Sequence, residues 1–117
     1  MGFVTTHVLD TANGVPAAGM KLELWEHTEN GPVRISEGHT NADGRMDTPI
    51  ISEDQMRQGR FELRFHAGDY FRGKGSELAD PAFLDIIPIV FGIADTESHY
   101  HVPLLVSPYS YSTYRGS

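Results

Sequence analysis

The feature that most constrains the fold is a strict alternation of apolar and polar side chains in short segments. In the clearest one, residues 60–66, Phe61, Leu63 and Phe65 share one face and polar side chains occupy the other. Successive side chains of a β-strand point to opposite faces, so this pattern predicts a strand with one buried face. Twelve glycines and seven prolines separate such segments along the chain, which is typical of an all-β protein.

Further strands are predicted where apolar runs lie between turn residues. The pairs at residues 30–31 (Asn-Gly) and 43–44 (Asp-Gly) are typical of tight turns. The apolar stretch at residues 86–93 predicts a strand buried on both faces, and Pro103 predicts an edge or a bulge in its strand. One short helix is expected over residues 68–78, and about eight strands at this spacing predict a two-sheet β-sandwich. The other strands are expected at residues 3–9, 20–27, 33–35, 99–106 and 112–114.

Length and composition exclude several classes of protein. The 117 residues suit one domain, and we expect a single domain over residues 1–117. A formal net charge of −7 is unfavourable for binding phosphates, so no nucleic-acid partner is expected. The absence of cysteine excludes disulfides and thiolate sites. The sequence shows neither a secretory signal nor an apolar run of membrane-spanning length, so we expect a cytoplasmic protein without a membrane partner.

Histidines form the first candidate site. His99 and His101 alternate in one predicted strand and so share a face. His7 lies on the face of its strand opposite to the apolar side chains of Val4 and Val8. Ordinary surface histidines would give this pattern, and so would a zinc site with His7 as a third ligand. The residues alone leave both interpretations open.

The C-terminal segment, residues 107–117, is rich in tyrosine, serine and arginine. These side chains combine ring area with hydrogen-bonding groups, which suits a subunit interface. The same composition would also suit the wall of a polar pocket, with Arg115 beside the terminal carboxylate. We therefore expect this segment to contribute to an interface, a pocket or both.

Four sequence blocks together resemble one family. Residues 114–117 read Tyr-Arg-Gly-Ser, and residues 99–105 read His-Tyr-His-Val-Pro-Leu-Leu. His-Val-Leu-Asp stands at residues 7–10 and Asp-Gly-Arg at residues 43–45. In this order and spacing the chain resembles, over its whole length, the 5-hydroxyisourate hydrolases, which are transthyretin-related proteins. Ser110 departs from the glycine of many members, a change that a loop can absorb.

The resemblance implies a fold, an assembly and a reaction. It implies an all-β, transthyretin-like sandwich of two four-stranded sheets, assembled as a homotetramer (a dimer of dimers) with active sites in a central channel. The implied reaction hydrolyses 5-hydroxyisourate to 2-oxo-4-hydroxy-4-carboxy-5-ureidoimidazoline in urate catabolism, without a cofactor or metal. The implied catalytic residues are His7, Arg45, His101 and Ser117. The implied substrate-binding residues are His7, Arg45, Tyr114 and Arg115, in the same pocket, with His99 as a supporting histidine.

These residue types suit the implied reaction. Opening a cyclic amide-like bond needs an activated water, stabilisation of charge at a carbonyl and a proton for the leaving nitrogen. Imidazoles exchange protons near neutral pH, and a guanidinium stabilises developing negative charge. Which histidine is the base stays open. Two alternatives also stay open, namely a transthyretin-like carrier of a small molecule and a zinc-dependent cyclic amide hydrolase using His7, His99 and His101.

Overall fold

The computed structural model describes residues 1–116, which form two four-stranded β-sheets with one α-helix among these residues. A short 3₁₀ helix spans Glu53–Gln55, and α1 spans Ala67–Gly73. The strands are β1 (Phe3–Asp10), β2 (Val15–Pro16), β3 (Lys21–Thr28), β4 (Gly31–His39), β5 (Gly59–His66), β6 (Ile86–Ile93), β7 (His99–Val106) and β8 (Tyr111–Thr113). The predicted all-β sandwich of two sheets, with about eight strands and one short helix, is thus confirmed.

The order of the strands brings the two ends of the chain together. The first sheet has the order β2-β1-β7-β8, and the second sheet has the order β4-β3-β5-β6. β1 and β7 run parallel, whereas the other neighbouring strands run antiparallel. Residues near the start of the chain therefore lie beside residues about ninety-five positions later, as in the contact of Thr6 with Val102.

The core lies between the sheets and is built from alternate residues of each strand. In β1, Val4, Thr6 and Val8 are buried, while the residues between them are partly exposed. The three alternating apolar residues of β5 are at most 1% exposed. Burying each such side chain contributes about 1.5–3 kcal/mol relative to leaving it exposed. The alternation that predicts the strands therefore also predicts which faces form the core.

One buried carboxylate joins the helix to the first sheet. Asp10, at the end of β1, is 1% exposed and accepts hydrogen bonds from the Tyr70 hydroxyl (2.8 Å) and the Asn13 side-chain amide (2.7 Å). Burial raises the pKa of Asp10, but the hydrogen bonds from Asn13 and Tyr70 outweigh it, so the pKa lies below its ordinary value. Asp10 is therefore held as a charged, fully bonded group that positions α1 through Tyr70.

The prediction that β6 is buried on both faces is wrong. Ile87, Ile89 and Ile93 are buried, whereas Ile86 and Val90 are 49% and 53% exposed. β6 belongs to one sheet of a two-sheet sandwich, so only one of its faces meets the core. The apolar residues of the other face are left at the surface.

Pro103 does not lie in an edge strand, because β7 is between β1 and β8. β8 pairs with residues 104–106, and the chain pairs with β7 again where Gly116 meets His101. Pro103 falls between these two pairings, at a place where its missing N–H interrupts little. Its carbonyl still accepts a hydrogen bond from the Thr113 hydroxyl (2.7 Å).

The helix is shorter than the predicted range of residues 68–78, since α1 ends at Gly73. Glycines at positions 73 and 75 favour an early end, because glycine has a low helix propensity. Within residues 1–116, no helix combines the length and apolar character needed to cross a membrane. The cytoplasmic location stays a prediction.

Candidate active site

The parallel pairing of β1 with β7 assembles the histidines on one face of the first sheet. In this register Phe3 pairs with His99, Thr5 with His101, and His7 with Pro103. All of these β1 residues lie on the face opposite to the buried Val4, Thr6 and Val8. Neighbouring strands in register place same-face side chains next to each other. Two blocks that are far apart in sequence thus form one surface.

A sharp turn brings Arg45 to the same surface. Gly44 has a φ of 75°, and a Cβ built there would lie 2.4 Å from the Val8 carbonyl oxygen, so only glycine fits. This close approach lets the Val8 amide donate to the Gly44 carbonyl (2.8 Å), and His7 forms a bridge with Arg45. The Asp-Gly-Arg block therefore has a geometric reason: its glycine allows the turn that places the arginine.

His7 is fixed by the same turn. Its Nε2 lies 2.9 Å from the Asp43 carbonyl oxygen. A carbonyl oxygen only accepts hydrogen bonds, so the proton of a neutral His7 ring resides on Nε2. Nδ1 is then the nitrogen with a free lone pair. The contact thereby selects one tautomer of His7.

His99 and His101 share one partner. The Thr5 hydroxyl oxygen lies 2.8 Å from Nε2 of His99 and 2.8 Å from Nδ1 of His101. The Phe3 ring stacks on His99 with centroids 4.2 Å apart and planes 19° apart. Thr5 and Phe3 thus fix the orientation of both imidazoles. The alternation of β1 places Phe3, Thr5 and His7 on one face, but sequence reasoning assigned no role to Thr5.

These groups border a cavity of about 440 Å³. Its size falls within the usual range for small-ligand pockets, about 300–1,000 Å³. His7 does not line the cavity, but it forms a backbone bridge with Arg45, which does line it. Residues 46–49, which complete the wall, carry no motif that sequence reasoning could have used. The lining consists of Thr5, Thr6, Arg45, Met46, Asp47, Thr48, Pro49, His99 and His101.

The electrostatics of the cavity favour a neutral imidazole at His101. Burial lowers the pKa of His101 below its ordinary value, and the positive charges of Arg45, His99 and His7 lower it further. His101 is therefore uncharged at neutral pH and can accept a proton. Thr5 holds Nδ1 of His101, whereas no hydrogen bond to Nε2 is found within residues 1–116, and the ring lines the cavity.

The C-terminal residues reach His101 through Gly116. Its amide donates to the His101 carbonyl (2.8 Å), and a Cβ at Gly116 would lie 2.5 Å from Cδ2 of the imidazole. The backbone at this position therefore packs directly on the ring, which requires a glycine. Ser117, which the resemblance implies as catalytic, lies outside the described residues.

Tyr114 and Arg115 line a different cavity in the single chain. This cavity, of about 430 Å³, is bordered by β6 and by Tyr100 and Val102 of β7. The Arg115 guanidinium lies 4.2 Å from the centroid of the Tyr100 ring. Because side chains alternate, Arg115 points away from the face on which Gly116 covers His101. The shared pocket implied by the resemblance is thus not formed within one chain, and the roles of both residues stay predictions.

The zinc alternative needs three ligands around one point. Among residues 1–116, no group of three or more His, Cys, Asp or Glu side chains is placed to hold a metal ion. Thr5 occupies the bonding position between His99 and His101, and Nε2 of His7 is directed at the Asp43 carbonyl. Each of these three histidines thus has one nitrogen engaged in a hydrogen bond within residues 1–116.

Known proteins resemble the chain in sequence and in structure. The chain is 57% identical over 116 residues to 5-hydroxyisourate hydrolase 2 of Rhizobium meliloti (strain 1021), covering 99% of this chain and 97% of that protein. The crystal structure of (S)-allantoin synthase superimposes with a TM-score of 0.91 at 45% identity, covering 99% of this chain and 44% of that chain. The structure of Klebsiella pneumoniae 5-hydroxyisourate hydrolase superimposes with a TM-score of 0.81 at 32% identity, covering 100% of both chains.

A family model gives the same result. Residues 4–116 match the model described as the HIUase/Transthyretin family. The match extends from β1 to Gly116 and so includes each described residue of the candidate site apart from Phe3. The resemblance found in the four sequence blocks is thus confirmed. The chain belongs to the HIUase/Transthyretin family.

Proposed function

We propose that the chain is a hydrolase that opens the ring of 5-hydroxyisourate in urate catabolism. Family membership and the names of the relatives support hydrolysis of this small molecule. The observation that carries the proposal is the polar cavity, which Arg45 and His101 line together. A base and a fixed positive charge in one pocket are what water attack on a carbonyl requires.

In the proposed mechanism His101 is the general base. Its Nε2 takes a proton from water, and the resulting hydroxide forms a bond to a ring carbonyl carbon of the substrate. Arg45 donates hydrogen bonds to the carbonyl oxygen as negative charge develops there. The carbon–nitrogen bond then breaks.

His7 is proposed as the proton donor to the leaving nitrogen. Its Nε2 is held by the Asp43 carbonyl, so the exchangeable proton is delivered from Nδ1 of the protonated ring. His101 ends the reaction with one proton more and His7 with one fewer, and exchange with solvent restores both. We assign orienting hydrogen bonds to Ser117 and Tyr114, and substrate contact to Arg115, from the family resemblance.

We also propose a homotetramer, built as a dimer of dimers. The histidine face of β1 and β7 carries Phe3 and Leu9, which are only partly buried in the single chain. Closed two-fold contacts would cover this face and exclude bulk water from the cavity. The assembly would also allow Tyr114 and Arg115 to approach the site of a neighbouring subunit. Light scattering should give about four times the chain mass of 13.0 kDa, and a stable active monomer would contradict the proposal.

The carrier alternative requires a different kind of lining. A carrier of an aromatic ligand should have an apolar channel, whereas Thr5, Arg45, His99 and His101 make this cavity polar. The two functions are separated by following product. Freshly generated 5-hydroxyisourate is mixed with substoichiometric protein, and the product is followed by nuclear magnetic resonance. With a hydrolase, product from many equivalents of substrate forms faster than in buffer alone, whereas with a carrier it forms no faster than in buffer.

A further inference from the structure

The Thr5 hydroxyl contacts one ring nitrogen of His99 and one of His101, so the positions of the protons on the two rings are linked. The oxygen lies 2.8 Å from Nε2 of His99 and 2.8 Å from Nδ1 of His101. A hydroxyl has a single proton and can donate to only one of these nitrogens. When both rings are neutral, the other nitrogen must carry its own proton and donate to the oxygen. If the Thr5 proton is donated to Nε2 of His99, Nδ1 of His101 must therefore carry a proton, and the reverse holds if it is donated to Nδ1 of His101.

We propose that Thr5 is a positioning residue that sets the tautomer of His101 and couples its protonation to His99. This inference rests on the proposed function, in which His101 is the base. In the productive arrangement, Nδ1–H of His101 donates to Thr5, and the Thr5 hydroxyl donates to Nε2 of His99. The lone pair of His101 then stands at Nε2, for which no hydrogen bond is found within residues 1–116.

The chain of hydrogen bonds also gives the accepted proton a way out. When Nε2 of His101 takes a proton from water, the ring becomes an imidazolium. Its Nδ1 proton passes to the Thr5 oxygen as the Thr5 proton passes to Nε2 of His99. One positive charge moves from His101 to His99, and no atom is gained or lost overall. The transfer removes the positive charge from His101, where the charges of Arg45 and His7 repel it.

The surroundings of His99 suit this role. Phe3 stacks on its ring at 4.2 Å, which keeps Nε2 directed at Thr5. The face of an aromatic ring attracts a cation, so the stack also tolerates a protonated His99. His99 and His101 have ring centroids 6.1 Å apart, too far for a direct hydrogen bond. Thr5 is therefore the described group that connects them.

Thr5→Val removes the hydroxyl and should leave the strand intact, so it separates the proposed role from a purely structural one. Thr5 lies on the partly exposed face of β1, and the strand is held by its backbone pairing with β7. Valine has nearly the same shape and the same β-branched preference for strands, so Thr5→Val removes the hydroxyl with little effect on the fold. Thr11→Val is the matched control, because the Thr11 hydroxyl also bonds to β7 but only to the Val106 carbonyl.

The test combines rates with nitrogen spectra. Thr5→Val, Thr5→Ser and Thr11→Val are compared with the unmodified chain by kcat and kcat/KM as a function of pH. Tautomers of His99 and His101 are determined by nuclear magnetic resonance of ¹⁵N-labelled imidazoles at a pH where both rings are neutral. We expect Thr5→Val to lower kcat roughly tenfold to a hundredfold, the range found when partners that orient metal-bound histidines are removed. The acidic limb should move to lower pH, because the imidazolium of His101 loses the acceptor for its Nδ1 proton.

Each outcome decides the proposal. Three results would support it. In the unmodified chain, Nδ1 of His101 carries a proton and Nε2 of His99 does not. Thr5→Val gives a mixture of tautomers, and Thr5→Ser recovers the rate and the tautomers of the unmodified chain. The same tautomers and pH profile in Thr5→Val as in Thr11→Val would overturn it. If Thr5→Val does not fold, equal protonation of the two nitrogens in the unmodified chain would overturn it alone. An unmodified chain without hydrolase activity would refute the proposed function, whereas the spectra would still report on Thr5.

Discussion

Replacing Gly116 by alanine tests whether the packing of the C-terminal backbone on His101 supports catalysis. The new Cβ would lie 2.5 Å from Cδ2 of the ring and 3.1 Å from its Cγ. Carbon atoms in contact normally lie about 3.5–4.0 Å apart, so the ring and the backbone must separate by about 1 Å. The ring resists this movement because Nδ1 is held by Thr5, and the amide of residue 116 is held by the His101 carbonyl.

The expected effect is large on rate and small on stability. A displacement of about 1 Å at a reacting group costs roughly 10²-fold in rate, or about 2.7 kcal/mol of barrier. Gly116 is only partly buried and lies outside the core between the sheets, so its substitution should change the free energy of unfolding by less than about 1 kcal/mol. Both are measured for Gly116→Ala by steady-state kinetics and by chemical denaturation.

Gly73→Ala is the matched control. No atom lies within 4 Å of a Cβ at Gly73, which ends α1 away from the site. It should retain full activity, with equal or slightly higher stability, because alanine favours the helix. A fully active Gly116→Ala variant would refute the reasoning that the backbone at this position orders the imidazole.

Three further predictions concern the histidines and the buried carboxylate. His7→Asn and His101→Asn should each lower turnover by about 10²–10⁴-fold. His39→Asn, at the exposed end of β4, should match the unmodified chain. Equal losses in all three variants would remove the case for a specific site. The acidic limb of kcat/KM should have its midpoint below pH 6.5. Burial, and then the charges of Arg45, His99 and His7, lower the pKa of His101, so the neutral base persists as the pH falls. A midpoint above pH 6.5 would contradict this. Tyr70→Phe should cost about 1.5–3 kcal/mol of unfolding free energy at pH 7, since it removes a hydrogen bond to a charged, buried Asp10. That stabilisation is present above the unfolded pKa of about 3.9 and is lost as the pH falls through the lowered pKa of Asp10. An undiminished difference at a pH where Asp10 is protonated in the folded chain would refute the assignment.

Much of the fold could be predicted because local patterns and the core agree. The period of two in β1 and β5 reports directly which face is buried, and turn residues mark where strands end. The double burial predicted for residues 86–93 failed because each strand of a two-sheet sandwich has one inner face, and an apolar run does not show whether anything covers the other face. Sheet order depends on long-range pairing, which periodicity does not encode.

The site could be predicted only in part for the same reason. The histidines and Arg45 were found through sequence blocks, yet Thr5 and residues 46–49 enter the site only through the parallel register of β1 with β7 and the path of the following loop. Arg115 was expected beside the histidines, but the alternation of side chains next to Gly116 directs it towards Tyr100. Neighbours in sequence can lie on opposite sides of a sheet.

In the proposed function, side chains of this site hydrolyse 5-hydroxyisourate without a metal ion. The most direct measurement is the absorbance decay of freshly generated 5-hydroxyisourate, recorded with the unmodified chain, with the double variant His7→Asn/His101→Asn and with buffer alone, each with and without EDTA. We predict rapid decay with the unmodified chain at a rate that EDTA leaves unchanged, and decay at the buffer rate with the double variant. Superimposable traces for the unmodified chain and buffer would contradict the claim of hydrolysis, and loss of the rate in EDTA would contradict the claim that side chains alone perform it.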